Sequence, residues 1–388
     1  MRKETMSQSV LILGGGIGGM VAANVLRRRL PPKHRVVVVD REPSFSLAAS
    51  HLWVMSGARS PEQVSRPLDR LQRKGIEVIY GEVEHIDPAQ REAVVAGRRI
   101  TADHLIIALG AQFIPEAVEG LADGGLTFAT LDGATRLGAA LFGFKEGHIV
   151  ILTAAPLYKC PAAPYEAAML IEAQVRRRGI GGQVRIDLYT AEPGPMGVAG
   201  PDVSAAVRAM VESRGIGYHP DRQVAKVNPR NQIAEFHDGE KVRYDLLVYM
   251  PSIQAPPVVR ESPLIGESGW VEVDRHTLET QFPGVYALGD VTSISLSMGK
   301  PLPKAGVFAH AQAEVVARNI ARAATGTGRE ARFDGHGACF VEVGEGKAGY
   351  GAGNFYADPR PAIRMHRPSR WWHAGKVLFE KYWFWRWS

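Results

Sequence analysis

The chain has 388 residues, 45% of them hydrophobic, and a formal net charge of +6. This length is sufficient for two or three α/β domains with substantial cores. No run of about 18 uncharged apolar residues occurs, so we expect no membrane-spanning helix, and the polar segment 1–9 does not have the pattern of a secretory signal peptide. Two cysteines are too few for a framework of disulfides.

The first elements of the chain predict a dinucleotide-binding unit. An apolar strand at 9–13 is followed by a turn with Gly14, Gly16 and Gly19, a helical run, and a second apolar strand that ends at Asp40. Glycines in this turn let the backbone approach a pyrophosphate, and an acid at the end of the second strand can accept hydrogen bonds from a ribose. The alternative is a glycine turn that only packs the helix on the sheet.

Two later segments indicate which dinucleotide is bound. Residues 104–110, which end at Gly110, and residues 281–290, which end at Asp290, resemble the crossover strand and the late signature of two-dinucleotide-binding-domain flavoproteins. The resemblance implies FAD and a set of cofactor-binding residues. These are Gly14, Gly16, Gly19, Asp40, Gly110 and Asp290.

The same resemblance implies an α/β fold with two Rossmann-like dinucleotide-binding domains. The FAD-binding domain is expected to be split between residues 1–110 and 252–328. A second Rossmann-like domain at 111–251 is expected to carry Cys160. The remaining residues, 329–388, form a C-terminal region for which we expect membrane interaction.

The strand-turn-helix segment at residues 148–166 lacks the chemistry of a second dinucleotide site. No glycine occurs between Gly147 and Gly179, and a backbone with Cβ atoms cannot approach a pyrophosphate as closely. Pro161 and Pro164 also remove amide donors. A lysine-flanked thiol, Cys160, stands there instead, so we expect no NAD(P)H site.

Cys160 and Cys339 are the two cysteines of the chain. They lie 179 positions apart, so their spacing does not establish contact, and two inert buried thiols are one interpretation. Lys159 and a helix predicted to begin near Pro164 both favour a thiolate at Cys160. Cys339 follows a glycine-rich bend and opens a predicted strand. The context therefore favours a redox pair.

Segments 158–166, 302–306 and 339–342 complete a family resemblance. Over essentially the whole chain, the sequence resembles the sulfide:quinone oxidoreductases and the flavoprotein subunit of flavocytochrome c sulfide dehydrogenase. The resemblance implies that Cys160 and Cys339 form the redox pair and that Lys304 lies near the flavin, as a catalytic and cofactor-binding residue. Cysteines that bind FAD covalently or precede the pair in relatives are missing here, so we expect noncovalent FAD.

The implied chemistry is the attack of sulfide on a disulfide of the pair. Glu166 is the best candidate for a catalytic base because it lies about one helical turn beyond Cys160, although it could instead be a partner of the helix dipole. His310 could relay protons, but a hydrogen-bonded packing role is equally compatible with its context. No metal site is predicted, and the sequence does not distinguish which cysteine carries the persulfide.

The C-terminal tail is aromatic and basic. Five of the seven tryptophans lie in the last eighteen residues. From Arg360 onward there are seven Lys or Arg residues and one acidic residue. Such a tail fits the anionic headgroup region of a bilayer, which predicts a peripheral, monotopic protein on the cytoplasmic membrane. The alternative is a helix that docks its aromatic residues on its own core or on a second subunit. A nucleic-acid partner is not expected, because no nucleic-acid-binding motif accompanies the basic residues.

The sequence leaves several functions open. The first is oxidation of sulfide to polysulfide or sulfur with membrane quinone as the acceptor. The second is the same flavin and thiol chemistry with another sulfur donor, or with a cytochrome or other protein acceptor. An NADH:quinone oxidoreductase would need the missing glycine loop. A flavin-bound redox sensor, which is not an enzyme, is the last alternative. The sequence is also compatible with a homo-oligomer.

Overall fold

The computed structural model describes residues 7–388, so most of the N-terminal segment considered for a signal peptide lies outside the described residues. The first part of the chain contains nine strands and two helices, which build most of one Rossmann-like domain. The strands are β1 (Ser9–Leu13), β2 (Arg35–Asp40), β3 (Ser44–Ser46), β4 (Ser65–Pro67), β5 (Glu77–Tyr80), β6 (Val83–Asp87), β7 (Glu92–Val95), β8 (Arg98–Thr101) and β9 (His104–Ile107). The helices are α1 (Ile17–Arg29) and α2 (His51–Met55).

The middle of the chain forms the second Rossmann-like unit and the strands that lead into and out of it. The strands are β10 (Gln112–Phe113), β11 (Leu126–Thr127), β12 (Gly147–Thr153), β13 (Val184–Tyr189), β14 (Gly217–His219), β15 (Val224–Asn228), β16 (Ile233–Phe236), β17 (Lys241–Arg243), β18 (Leu246–Met250) and β19 (Ile253–Gln254). The helices are α3 (Leu121–Gly124), α4 (Leu131–Gly143), α5 (Ala163–Arg177) and α6 (Pro201–Glu212).

The last part of the chain first returns to the first domain and then forms a C-terminal sheet and helix. The strands are β20 (Val271–Glu272), β21 (Val285–Ala287), β22 (Thr292–Ser293), β23 (His336–Gly344), β24 (Lys347–Asn354) and β25 (Ala362–Ser369). The helices are α7 (Pro257–Arg260), α8 (Gly306–Thr325) and α9 (Arg370–Trp387). Short 3-10 turns lie at Ala48–Ser50, Pro61–Val64, Leu68–Lys74, Pro115–Ala117, Gly197–Ala199 and Gly289–Val291.

Two parallel five-stranded sheets organise the molecule. The first has the order β21-β9-β1-β2-β5, and the second has the order β11-β18-β12-β13-β14. Their central strands are buried on both faces, which explains their continuous runs of Val, Ile and Leu. Because β21 pairs with β9 across about half of the chain, the first sheet is split in sequence. The predicted fold of two dinucleotide-binding domains is confirmed, whereas the exact domain boundaries stay a prediction.

The C-terminal helix α9 has two different faces, and this revises the view of a tail that only contacts lipid. Trp383 is 1% exposed and stacks on Phe45 of the first domain, with 4.8 Å between the ring centroids. Arg66 covers the ring of Phe384 at 4.3 Å. This face is therefore part of the core. It agrees with the alternative interpretation, in which the helix docks its aromatic residues on the protein's own core.

The other face of α9 is apolar and open to solvent. Trp371 is 86% exposed and Trp385 is 75% exposed, with Leu378 and Tyr382 exposed between them. Spacings of seven, four and three residues place these four side chains on one side of the helix. Among residues 7–388, no helix combines the length and the apolar character needed to cross a bilayer.

Candidate active site

A cavity of about 1040 Å³ runs between the carboxyl end of the first sheet and the loop that carries Cys160. The predicted cofactor-binding residues that line it come from segments that are far apart in sequence. Its lining includes Gly14, Gly16, Asp40, Gly110, Lys159, Cys160, Asp290 and Lys304. Gly19, Glu166 and Cys339 are absent from this lining, and their places are described below.

The glycine turn between β1 and α1 has the geometry that a pyrophosphate requires. Gly14 has φ +105°, and a Cβ there would lie 2.4 Å from the carbonyl oxygen of Ala108. A Cβ at Gly19 would lie 1.8 Å from the carbonyl oxygen of Gly14, so this glycine lets the helix pack against the strand. A Cβ at Gly16 would meet no protein atom within 4 Å, because Gly16 faces the cavity at the N-terminus of α1. This open helix end can bind an anion.

Asp40 and Gly110 also line the cavity. Asp40 Oδ2 accepts a hydrogen bond from the amide of Gly15 at 2.5 Å, and Oδ1 accepts one from the amide of Glu42 at 2.8 Å. Each oxygen keeps a further lone pair for a hydroxyl donor. Gly110 has φ +67°, which a residue with a Cβ rarely adopts.

Asp290 supplies the sharpest test of whether the residues fit a flavin. Its Oδ1 atom is buried and has no hydrogen-bond partner, whereas Oδ2 lies 3.6 Å from Nζ of Lys159. A buried carboxylate oxygen without a donor is costly, so a hydroxyl of a bound molecule is the expected partner. The orphaned oxygen, the glycine turn and the cavity together fit FAD.

Lys304 lies beside Asp290 and is 4% exposed. Its Nζ donates a hydrogen bond to the carbonyl oxygen of Thr292 at 2.6 Å and lies 3.4 Å from the ring centroid of Trp270. Burial lowers the pKa of Lys304 to about 7, which attraction by Asp290 only partly opposes. The side chain can therefore gain or lose a proton near neutral pH.

The two cysteines are brought together by different elements. Cys160 precedes α5, and its amide donates to the carbonyl oxygen of Lys304 at 2.8 Å, while Cys339 lies on β23. Their thiols are in hydrogen-bonding contact, although both are unoxidised here. Cys160 faces the cavity. A dithiol at the end of a flavin-sized cavity can exchange with a sulfur nucleophile and pass two electrons.

The electrostatics of this pair differ from the expectation that Cys160 carries the thiolate. The shared hydrogen bond and burial raise the pKa of Cys160, whereas donation by Cys160 lowers the pKa of Cys339 despite its burial. Lys376 lowers the pKa of both thiols. Lys159, the cation expected to do this, instead faces Asp290 and the ring of Phe113.

Glu166 is buried in an ionic network and does not line the cavity. Its Oε2 atom accepts from the amide of Glu342 at 2.8 Å and lies 3.1 Å from Nζ of Lys376. Oε1 of Glu342 lies 3.9 Å from the same Nζ and 3.0 Å from Nδ1 of His373. Glu166 is thus paired with a cation, and its role as a base stays a prediction.

The network pairs the Lys376 cation with the carboxylates of Glu166 and Glu342. Burial lowers the pKa of Lys376, but attraction by Glu166 and Glu342 outweighs it, and the pKa is raised. Burial raises the pKa of Glu342. Lys376 belongs to α9, so the C-terminal helix supplies a cation that lowers the pKa of both thiols. Sequence reasoning missed this lysine because it counted it only as one of the tail's basic residues.

His310, considered as a proton relay, packs against the tail instead of lining the cavity. Its ring makes an edge contact with Trp387 at 5.1 Å between centroids, and Nε2 lies 3.9 Å from Glu314. Burial lowers its pKa. The described residues contain no group of three His, Cys, Asp or Glu side chains that could hold a metal ion.

The two parallel sheets and the cavity define the class as a two-dinucleotide-binding-domain flavoprotein. Residues 8–313 match the pyridine nucleotide-disulphide oxidoreductase family. The chain belongs to this family and, within it, to the sulfide:quinone oxidoreductases.

Two curated relatives and one solved structure illustrate the similarity. The sulfide-quinone reductase of Aquifex aeolicus is 29% identical, over 98% of this chain and 91% of its own. The mitochondrial sulfide:quinone oxidoreductase of Mus musculus is 28% identical, over 86% of this chain and 75% of its own. The crystal structure of the Aquifex aeolicus sulfide:quinone oxidoreductase superimposes with a TM-score of 0.87, over 98% of this chain and 91% of that chain, at 26% identity.

Proposed function

We propose that this protein oxidises sulfide through Cys160 and Cys339 and passes the electrons through noncovalent FAD to a membrane quinone. The observation that carries the proposal is the contact of the two thiols at the end of the cavity that holds Asp290 and Lys304. Of the two cysteines, Cys160 lines this cavity, so the thiol pair reaches the cavity through Cys160. The similarity to sulfide:quinone oxidoreductases supports the choice of donor and acceptor.

The thiol chemistry begins from the disulfide of Cys160 and Cys339. Hydrosulfide attacks one sulfur of the disulfide, which leaves a persulfide on that cysteine and a thiolate on the other. Cys339 is the better thiolate because Cys160 donates to it and Lys376 attracts it. Further hydrosulfide attack on the persulfide releases a polysulfide product and frees the second thiolate. Two sulfides thus become one hydrodisulfide, and the two electrons that they release remain on the dithiol.

Residues around the cavity can bind the polar groups of FAD and neutralise negative charge. Gly16 and the N-terminus of α1 would hold the pyrophosphate, Asp40 a ribose and Asp290 a ribityl hydroxyl. FAD, when bound, supplies two-electron acceptor chemistry that reoxidises the dithiol and reduces a quinone. Protonated Lys304 would neutralise negative charge that develops at this end of the cavity.

The exposed face of α9 supports a bilayer as the source of quinone. Trp371, Leu378, Tyr382 and Trp385 offer amphipathic and apolar groups suited to the headgroup boundary, and the exposed Lys381 adds a cation. Contact with anionic lipid is favoured by roughly 1 kcal/mol per cation near the surface. We propose peripheral attachment through this face, with a second copy of the chain as the competing occupant.

A turnover assay tests this function directly. The purified protein with FAD should reduce a soluble quinone analogue when sulfide is supplied, and it should not when NADH or NADPH is supplied. A cytochrome acceptor that sulfide reduces faster than quinone would favour the alternative acceptor. Nicotinamide turnover comparable to sulfide turnover would contradict the proposed function.

A further inference from the structure

Glu192 joins both sides of the loop that presents Cys160. It follows β13 by three residues, at the carboxyl edge of the second sheet, where a Rossmann-like fold places the acid that binds a ribose. Here its Oε1 atom accepts hydrogen bonds from the hydroxyls of both Tyr158 and Tyr165, the latter at 2.8 Å. Thr153 donates to Oε2 at 3.4 Å. Hydroxyl groups of the same chain thus use the hydrogen-bond acceptors of the Glu192 carboxylate.

The two tyrosines lie on opposite sides of the thiol in sequence. Tyr158 precedes Cys160 by two residues, and Tyr165 follows it by five, in the first turn of α5. Both tyrosine side chains are buried. Because both hydroxyls meet at one oxygen atom, Glu192 ties the loop before the cysteine to the helix after it.

Cys160 needs such a restraint. Its φ of +55° lies in the left-handed region, which is strained for a residue with a Cβ. A strained conformation persists only where the surroundings enforce it. The amide of Cys160 is held by the carbonyl oxygen of Lys304, and its own carbonyl accepts from the amide of Ala163 at 2.8 Å. The hydrogen bonds to Glu192 fix the two flanks of this segment.

Burial raises the pKa of Glu192, and the donating hydroxyls oppose this effect. The same burial raises the pKa of Tyr158, so the proton stays on the phenol and the hydroxyl remains a donor. The cluster is therefore a fixed set of hydrogen bonds at neutral pH.

We infer that Glu192 is a positioning residue that holds the Cys160 loop so that its thiol meets Cys339. The inference rests on the proposed dithiol function of the two cysteines and adds the residue that sets their approach. In a dinucleotide site, an acid at the position of Glu192 would bind a ribose. In this protein it positions the thiol loop instead.

The test measures how well the protein brings the two thiols together, without sulfide or quinone. In the anaerobic flavin-bound protein, the dithiol is equilibrated with glutathione disulfide, so that one Cys160–Cys339 disulfide and two glutathione thiols form for each glutathione disulfide consumed. The flavin absorbance is recorded at each point, so that electrons held by the flavin are counted separately. Glu192→Ala should lower this equilibrium constant by about tenfold or more, because the thiols lose their fixed approach. Glu192→Gln, which keeps an acceptor oxygen, should have a smaller effect.

Matched variants separate positioning from general stability. The double variant Tyr158→Phe/Tyr165→Phe should reproduce the loss, because it removes the two donors. Tyr244→Phe is the control, because it removes a buried tyrosine hydroxyl of the same domain that has no hydrogen-bond partner. FAD content and thermal midpoint are followed in each protein.

An equilibrium constant within twofold of the wild type in folded Glu192→Ala and in the double variant would overturn the inference. Equal losses in Tyr244→Phe and in the double variant would overturn it as well. Failure of the wild type to oxidise sulfide, with the thiol equilibrium behaving as expected, would reject the proposed function and leave the positioning role standing.

Discussion

Nζ of Lys376 lies 3.1 Å from Oε2 of Glu166, although 210 residues separate them in sequence. This contact joins the C-terminal helix to the helix that follows Cys160. Both side chains are buried, and Glu342 beside Cys339 completes the group. The last helix of the chain is thus part of the electrostatic environment of the thiols as well as the carrier of an exposed apolar face.

Removal of this cation should affect stability and thiol reactivity together. Lys376→Met leaves the buried carboxylate of Glu166 without its cation and is expected to lower the free energy of unfolding by about 3–5 kcal/mol. The pH midpoint of alkylation of the thiols by iodoacetamide should move upward, because Lys376 lowers the pKa of both. Urea unfolding and alkylation rates across pH provide the two measurements.

Lys381 supplies the control for this substitution. It lies on the same helix but is exposed, so Lys381→Met should leave both quantities near their wild-type values. An unchanged alkylation profile in folded Lys376→Met would show that this lysine does not act on the thiols.

The cysteines can be tested separately from cofactor binding. Cys160→Ser and Cys339→Ser should each abolish the reduction of bound flavin by sulfide, because either change removes the disulfide that sulfide must attack. FAD content should stay normal, because the substitutions leave the glycine turn and Asp290, which would bind FAD, unchanged. Flavin absorbance before and after sulfide addition measures both. Near-normal turnover in either variant would reject the dithiol mechanism.

The lowered pKa of Lys304 predicts a pH-dependent flavin potential. Since its pKa is about 7, the side chain is charged below that pH and neutral above it. Lys304→Met should therefore lower the midpoint potential of bound flavin more at about pH 6 than at about pH 8.5. Lys300→Met, at an exposed lysine nearby, is the control. Equal shifts at both pH values would mean that the charge of Lys304 does not act on the flavin.

The structure changes how the membrane interaction should be tested. Deletion of residues 371–388 would also remove Trp383, which packs on Phe45, so loss of the tail would damage the core. Serine at Trp371, Leu378, Tyr382 and Trp385 removes only the exposed face. Loss of even about 1.5 kcal/mol of apolar burial should weaken binding to anionic liposomes about tenfold.

Activity with long-tailed quinones should then fall more than activity with short, water-soluble ones. Phe142→Ser is the matched control, because Phe142 is an exposed aromatic residue on α4. Sedimentation with liposomes at low and high salt is the binding measurement. Wild-type protein that fails to sediment at low salt, or a quadruple variant that changes only the oligomeric state, would reject lipid as the occupant of this face.

Local chemistry made parts of the fold and site predictable from sequence. Gly14, Gly19 and Asp40 could be placed because a glycine turn between a strand and a helix has few solutions. Contact between Cys160 and Cys339 could not be derived from spacing and came from the family resemblance. The partners of Lys376 and Glu192 depend on tertiary packing between distant segments. The aromatic residues of α9 surround the helix, so composition alone could not separate its buried face from its exposed one.

Anaerobic titration of the FAD-bound protein with sulfide tests the central claim most directly. The account predicts that sulfide bleaches the flavin absorbance in the wild type, that NADH does not, and that a soluble quinone then restores the oxidised spectrum. The flavin should remain oxidised in Cys160→Ser under the same conditions. Flavin that stays oxidised in the wild type with excess sulfide, or that NADH bleaches as readily, would contradict the account.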